Sequence, residues 1–303
     1  MERNEPTHAK LPKLFVHAPG LFRNISKKSE RDTLDITYEI GDTIFRLTGP
    51  EVLNATDLRV LQGLSAIATK QVYQPLGVRQ LLRDGRAERL GLALTGDALT
   101  HRKQHTIAAR VNLSVLASAV GYARPGGATR RMLRESIERL SCVTVSVQRT
   151  DFVGSHHIIS KGSIDSRTGE LVVALNPILT TAILGRKNYL RIDTGEMQKL
   201  KSDAARLMHM RLHWINQGES GNISIDTLCK YVYADTPTTT VAAKKRRREV
   251  RAALKELAGL EWSISEPGKA SDTYRIRRAR IRSRAPEEAI TNASEQVPII
   301  ESE

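Results

Sequence analysis

The 303-residue chain carries 47 Lys and Arg against 33 Asp and Glu, a formal net charge of +14 with a pI near 10. A 40% share of hydrophobic residues is enough to fill two cores of ordinary size, which excludes disorder throughout, and the charge points to a polyanionic partner, nucleic acid first. A membrane is the weaker expectation, because no apolar run approaches the roughly 18 residues that cross a bilayer and MERNEPTHAK lacks a signal-peptide core, so a cytoplasmic location is expected.

In chain order, residues 1–30 read as a polar and basic N-terminal arm, with local order around LFVHAPGLFR. LDITYEIGDTIFRL alternates apolar and polar residues about Gly41-Asp42, the pattern of a β-hairpin. Thr56 then stands as the cap of a helix whose apolar positions Leu58, Leu61, Leu64, Ile67 and Ala68 follow helical spacing. Residues 70–105 carry only short apolar patches between glycines, with a short helix expected near Val78–Arg83. From Ala109 a helix pair leads into strands: one to Gln148, a turn near Gly154, the strand HHIISKG, a turn at Asp165–Gly169 and the strand ELVVALN. A helix starting at Pro177 and closed by Gly185, a strand NYLRID and a brief helix over Thr194–Leu200 follow. Ser202 caps the next helix, DAARLMHMRLHWIN.

The stretch Asn222–Arg284 has the order of a winged helix: strand, helix, turn, a second helix dense in Lys and Arg, and a hairpin whose last strand is basic. At about 100° per residue, Val250, Ala253, Leu254 and Leu257 form one apolar stripe, with Lys244, Arg248, Arg251 and Lys255 opposite. This unit is foreshadowed earlier in the chain. NLSVLASAVGYA resembles NISIDTLCKYVYA, and RMLRESIERLSCVTVSV from Arg131 matches REVRAALKELAGLEWSI from Arg248 without a gap, pairing Arg134 with Arg251, Leu140 with Leu257 and Val147 with Ile264. The expected architecture is therefore α+β, two related winged helices in tandem. Its segments are the arm, a first unit over 31–185 that includes the hairpin, a second over 186–284, and an acidic, disordered tail over 285–303.

A Lys/Arg run is often only a solvated face. Here it falls on the second helix of a helix-turn-helix and is joined by Arg275, Arg277, Arg278 and Arg280 on the last strand, where alternation turns Tyr274 and Ile276 inward. The candidate DNA-binding residues are Lys244, Lys245, Arg247, Arg248, Arg251 and Lys255 on the helix and Arg275, Arg277 and Arg278 on the strand, with Arg248 and Arg251 facing bases and Lys244 and Lys255 facing phosphates. On the first copy, Arg130, Arg131 and Arg134 are offset by Glu135 and Glu138, so that face either contacts DNA more weakly or holds a partner subunit. Enzyme signals are thin. His209 and His213 stand four apart on a helix, but HMRLH lacks the catalytic Glu of a zincin and reads as a structural pair. His156-His157 is not the His-apolar-His of a metal-dependent nickase, whose nucleophile here would be Tyr231 or Tyr233. Gly268–Ser271 lacks the first glycine of a phosphate loop and reads as a wing turn. Cys142 and Cys229 are too few for a metal knuckle and are expected as buried free thiols, and aromatic content of 4% disfavours a single-strand stacking mode. No metal and no cofactor is expected.

HAPGLFR, LDITYEIGD, TGPEVLNATDLRVLQGL, LVVALNP, DAARLMHMRLHWI and SIDTLCKYV, followed by KKRRREVRAALKEL, resemble the replication initiator C proteins of IncQ-type plasmids over roughly Ala18–Ile276. The resemblance implies binding to directly repeated sites (iterons) in a plasmid origin, opening of adjacent AT-rich DNA, and co-operation with a plasmid-encoded helicase and primase. The expectation is a non-enzymatic initiator on double-stranded DNA, with self-association possible; a transcriptional repressor and a DNA-nicking enzyme are the alternatives.

Overall fold

The computed structural model describes residues 8–25, 31–73, 107–123, 125–149, 152–164, 170–185, 189–260, 262–265 and 272–279. The fold is α+β. Strand β1 (His8–Pro12) and the short helix α1 (Lys13–His17) precede a hairpin of β2 (Leu34–Ile40) and β3 (Thr43–Gly49), whose turn uses Gly41 at φ +62°. Helix α2 (Ala55–Tyr73) is buried on all sides from Asp57 to Ala68, with Leu58, Leu61 and Leu64 at 0% exposure. Then come β4 (Ile107–Asn112), α3 (Leu113–Ala119) and α4 (Gly127–Cys142). Strands β5 (Thr144–Arg149), β6 (Phe152–His157), β7 (Ile159–Ile164) and β8 (Glu170–Leu175) follow. Helix α5 (Pro177–Ile183), strand β9 (Tyr189–Asp193) and helix α6 (Thr194–Lys199) connect to the second half. That half consists of α7 (Asp203–Leu212), β10 (Ser220–Ser224), α8 (Ile225–Tyr233), α9 (Thr240–Ala258), β11 (Trp262–Ser265) and β12 (Thr273–Arg278).

The two halves share a pattern. One three-stranded antiparallel sheet runs β4-β8-β7 and the other β10-β12-β11, so in each the strand before the helix pair lies beside the last strand. Asn112 and Ser224 both end that strand as helix caps, accepting from Ser114 N and Thr227 N. The buried stripes of α4 and α9 coincide position for position: Leu133, Ser136, Ile137 and Leu140 in one, Val250, Ala253, Leu254 and Leu257 in the other. Beyond the helices the pairing of Val147 with Ile264 fails. β11 joins its own unit's sheet, whereas β5 turns away to pair with β3 and β6 in a separate sheet of order β2-β3-β5-β6. The place of β11 is taken in the first half by β7. A strand's partner is chosen by packing far away in sequence, so matching strings of residues cannot fix it.

Other readings also shift. Gly154 is no turn but lies within β6, opposite Val147, and HHIISKG is divided between β6 and β7. The cap of α2 is Asn54, which accepts from Thr56 N at 2.8 Å and Asp57 N at 3.1 Å. Cys142 ends α4 exposed, and Cys229 is half-buried. Residues 74–106, the turn at 165–169, the wing turn at 268–271 and the acidic tail lie outside the described residues.

The largest correction concerns the N-terminal arm. Leu11, Phe15, Val16, Ala18, Leu21 and Phe22 are fully or almost fully buried, and they join one continuous apolar core that reaches from Leu11 to Ile276. β1 pairs antiparallel with β9, from His8 opposite Asp193 to Pro12 opposite Tyr189. Arg211 on α7 donates to the carbonyls of Val16 (2.6 Å) and Ala18, satisfying groups that burial would otherwise leave unpaired. The chain then passes between the halves: Arg23 N donates to Leu53 O and Asn24 N to Val232 O. Gly20 permits the passage, because a Cβ there would stand 2.6 Å from the Ala234 Cβ and its φ is +73°.

A polar clasp fastens the connecting segment to the second half. Asp193 caps α6, and Glu196 in its first turn meets Nε2 of His209 at 2.7 Å and accepts from the Trp262 indole N–H at 3.0 Å. His213 Nδ1 lies 2.6 Å from the His209 carbonyl, and the two imidazoles meet edge to face at 4.4 Å. Burial, with the charges of His209 and Arg278, holds His213 well below the ordinary imidazole value. Burial raises Glu196, but its hydrogen bond and attraction to His209 outweigh that and leave the carboxyl low.

Both shifts act on stability with one sign. Below pH 6.5 the unfolded chain takes up a proton on His213 that the folded chain refuses, so this contribution is whole above that pH and is lost as the pH falls; that of Glu196 is lost below 4.5. Urea unfolding at pH 5.5 should therefore give a lower free energy than at pH 7.5, by on the order of 1 kcal/mol, on account of His213. His213→Asn should remove that difference. An unchanged difference would assign the pH response to His8 and His17, which burial also lowers.

Candidate nucleic-acid interface

Helix α9 starts at Thr239, whose hydroxyl accepts from Ala242 N at 3.1 Å, and runs through KKRRREVRAALKEL to a C-cap at Gly259. Its buried stripe leaves Val241, Lys244, Lys245, Arg248, Arg251, Ala252 and Lys255 exposed on the other side. The two acids of the helix do not share that face. Glu249 accepts from the hydroxyl of Tyr233 on α8, with Lys245 Nζ 3.9 Å away. Glu256 turns back to accept from the backbone N–H groups of Lys201 (2.7 Å) and Ser202 (3.1 Å) at the start of α7. Burial raises Glu256, and hydrogen bonds from Ser202 and the Lys201 backbone more than cancel this, keeping it charged. With its acids turned toward the protein, the helix presents cations outward.

Those cations are not equivalent. Arg247 is held by a two-pronged bond to Asp226 on α8, at 3.0 and 3.1 Å, which raises its own pKa. Arg246 caps the α8–α9 turn, bonding Asp235 and stacking over Tyr233 at 4.6 Å. Arg251 donates to the Tyr274 hydroxyl at 3.3 Å and lies 3.9 Å from Asp272, so it braces the helix against β12. Among the described residues, Lys244, Arg248 and Lys255 have no carboxylate within 4.0 Å, whereas Arg251 is engaged with Tyr274 and Asp272.

On β12 the period of two decides which arginines face outward. Tyr274, Ile276 and Arg278 point inward, Arg278 at 8% exposure with its guanidinium 5.6 Å from the Trp262 ring centroid, while Arg275 and Arg277 are exposed. Arg278 therefore leaves the set of DNA-facing residues. Arg275 donates to Ser220 Oγ at 3.4 Å. Arg280, Arg282 and Arg284 lie outside the described residues.

The profile of the family described as Replication protein C (RepC) matches residues 3–280. The chain belongs to the replication protein C family. The resemblance read from its motifs is borne out, and the protein is a replication initiator of this plasmid-type family. Its fold is similar to that of domains 2 and 3 of RctB, solved as selenomethionine derivatives, at 10% identity and a TM-score of 0.51, covering 88% of this chain and 97% of the other. A second structure of RctB domains 2–3 aligns at 9% identity and a TM-score of 0.47, over 88% and 96%. No curated protein matches.

The face of α4 is more sparsely and less uniformly basic. Arg130, Arg131 and Arg134 are exposed, Arg130 donating to Ser114 Oγ at 3.4 Å, and Glu135 and Glu138 are exposed beside them. Of the tyrosines considered as nucleophiles, Tyr233 is buried and bonded to Glu249, and both effects push its pKa well up. Tyr231 is half-buried, 5.9 Å from Arg211. Glu196, His209 and His213 bring donor atoms within 4.8 Å of one another, but the bonds of the clasp engage the carboxylate and a nitrogen of each imidazole. No described helix is long and apolar enough to cross a membrane.

Two signals were missed. Val241, 76% exposed at the head of the basic face, was readable from the helical period, and the turning-in of Glu249 and Glu256 was not, since it depends on Tyr233 and the start of α7.

Proposed function

We propose that the protein is a non-enzymatic initiator that binds directly repeated origin sites in duplex DNA through two winged-helix units and strains the adjacent AT-rich DNA for loading of helicase and primase. The observation that carries this reading is α9, a helix that follows a helix-turn and faces outward with Lys244, Arg248 and Lys255 while its acids face the protein. The common strand order β4-β8-β7 and β10-β12-β11 supports two units of one kind, with Arg275 and Arg277 on the wing of the second. The second unit supplies most of the affinity, and the first, at Arg130, Arg131 and Arg134, binds more weakly or holds another copy on neighbouring repeats. The sequence has no Walker motif, so the free energy for opening comes from binding several sites and bending the DNA between them.

Footprinting on origin DNA should show protection repeated at the period of the sites. Permanganate reactivity of the AT-rich region should appear with purified protein and no nucleotide. Protection of a single promoter-proximal site would favour a repressor, a strict ATP requirement would refute binding-driven opening, and nicked circles from supercoiled plasmid would show an enzyme.

A further inference from the structure

Val241 is the most exposed apolar residue of the basic face, at 76%, with Lys244, Lys245 and Arg248 around it. Val241, Arg248 and Lys255 recur every seven residues, so they form one row down the outward side of α9, opposite Val250 and Leu254. The buried stripe, the bonded Arg246, Arg247, Glu249, Arg251 and Glu256, and the outward cations each have a role in packing, bracing or charge, whereas a bare isopropyl group in the first turn of a cationic face is left without a task. The first turn of a groove-docked helix is where side chains reach base edges, and the apolar feature that the major groove offers is the C5-methyl of thymine.

We propose that Val241 is a specificity residue that packs against a thymine methyl in the bound repeat. The occupant follows from charge complementarity: the cations flanking Val241 favour the phosphates that border a major groove and disfavour an apolar protein surface. The proposal rests on α9 being the DNA-reading helix, and it adds a chemical identity at one position. Seven residues span about 10 Å of helix, or about three base steps, so this thymine lies within roughly that distance of the base beneath Arg248.

The test uses the full chain and a duplex with one repeat, its thymines replaced one at a time by deoxyuridine, which removes the methyl and leaves every hydrogen-bonding edge. Wild type should lose about fourfold in affinity at one position, the worth of one buried methyl group. Val241→Ala should lose a similar factor on the thymine duplex and be indifferent to deoxyuridine at that position. Val241→Thr, which keeps one γ-methyl, should retain part of the sensitivity. Equal deoxyuridine effects in wild type and Val241→Ala, or unchanged cognate binding by Val241→Ala, overturn the assignment and leave α9 as the reader. Failure of wild type to prefer the repeat over random duplex overturns both the assignment and the DNA-reading helix on which it rests.

Discussion

Replacing Lys244, Arg248 and Lys255 together by alanine should weaken binding to duplex DNA on the order of several hundredfold at 0.1 M salt. The figure combines two terms: the phosphate contacts of Lys244 and Lys255, each with a slope of about 0.9 in log K against log salt, give a factor of about 60 at a tenth of the 1 M reference, and loss of a base contact by Arg248, worth about 1–3 kcal/mol, adds at least about fivefold on the cognate repeat. The slope itself should fall by about 1.8. Stability should be unaffected, because the three side chains are exposed and have no described carboxylate partner. Arg131→Ala with Arg134→Ala, on the mixed-charge face of α4, should cost far less under the same conditions. Fluorescence anisotropy over a salt series measures both, and equal losses from the two faces would contradict the primacy of α9.

Asp57→Ala should lower the unfolding free energy by about 3–5 kcal/mol, the cost of removing one partner from a buried charged network. Asp57 is fully buried in the first turn of α2 and is approached from four sides. Its carboxylate accepts from Ser136 Oγ at 2.7 Å, from Arg139 at 2.9 and 3.1 Å, from Arg31 at 3.4 Å and from the backbone N–H of Asn54 at 2.9 Å. Alanine leaves the largely buried Arg139 guanidinium and the Ser136 hydroxyl inside without an acceptor. Asp57→Asn keeps one oxygen, enough for either the Asn54 N–H or the Ser136 hydroxyl, which bond different oxygens of the carboxylate, and should cost less. Urea midpoints at pH 7 distinguish the two, and a loss under 1 kcal/mol for alanine would mean that water readily fills the site.

Much of α9 was legible because helical periodicity is local: the stripe Val250, Ala253, Leu254 and Leu257 is buried as its spacing predicts. The same rule carried the hairpin about Gly41 and the cap at Ser202. What the sequence hid were choices made by distant partners. Nothing near Val147 says that β5 pairs with β3, and the polar, proline-broken start of the chain masks apolar residues that are buried only because β9 and α7 arrive to cover them. Arg278 was readable and was misread: a strand period of two already places it with Tyr274 and Ile276. The distinction between Arg247, held by Asp226, and Arg248, held by no described acid, is a matter of side-chain geometry across two helices.

The buried N-terminal segment also orders events at the ribosome. Val16 receives its hydrogen bond from Arg211, 195 residues further along, and β1 has no strand partner until β9 is made. At about 5–20 residues per second, the first apolar residues synthesised must wait about 10–40 s for the elements that enclose them. During that interval Leu11, Phe15, Leu21 and Phe22 lack their cover, so folding of this core completes only after α7 has emerged.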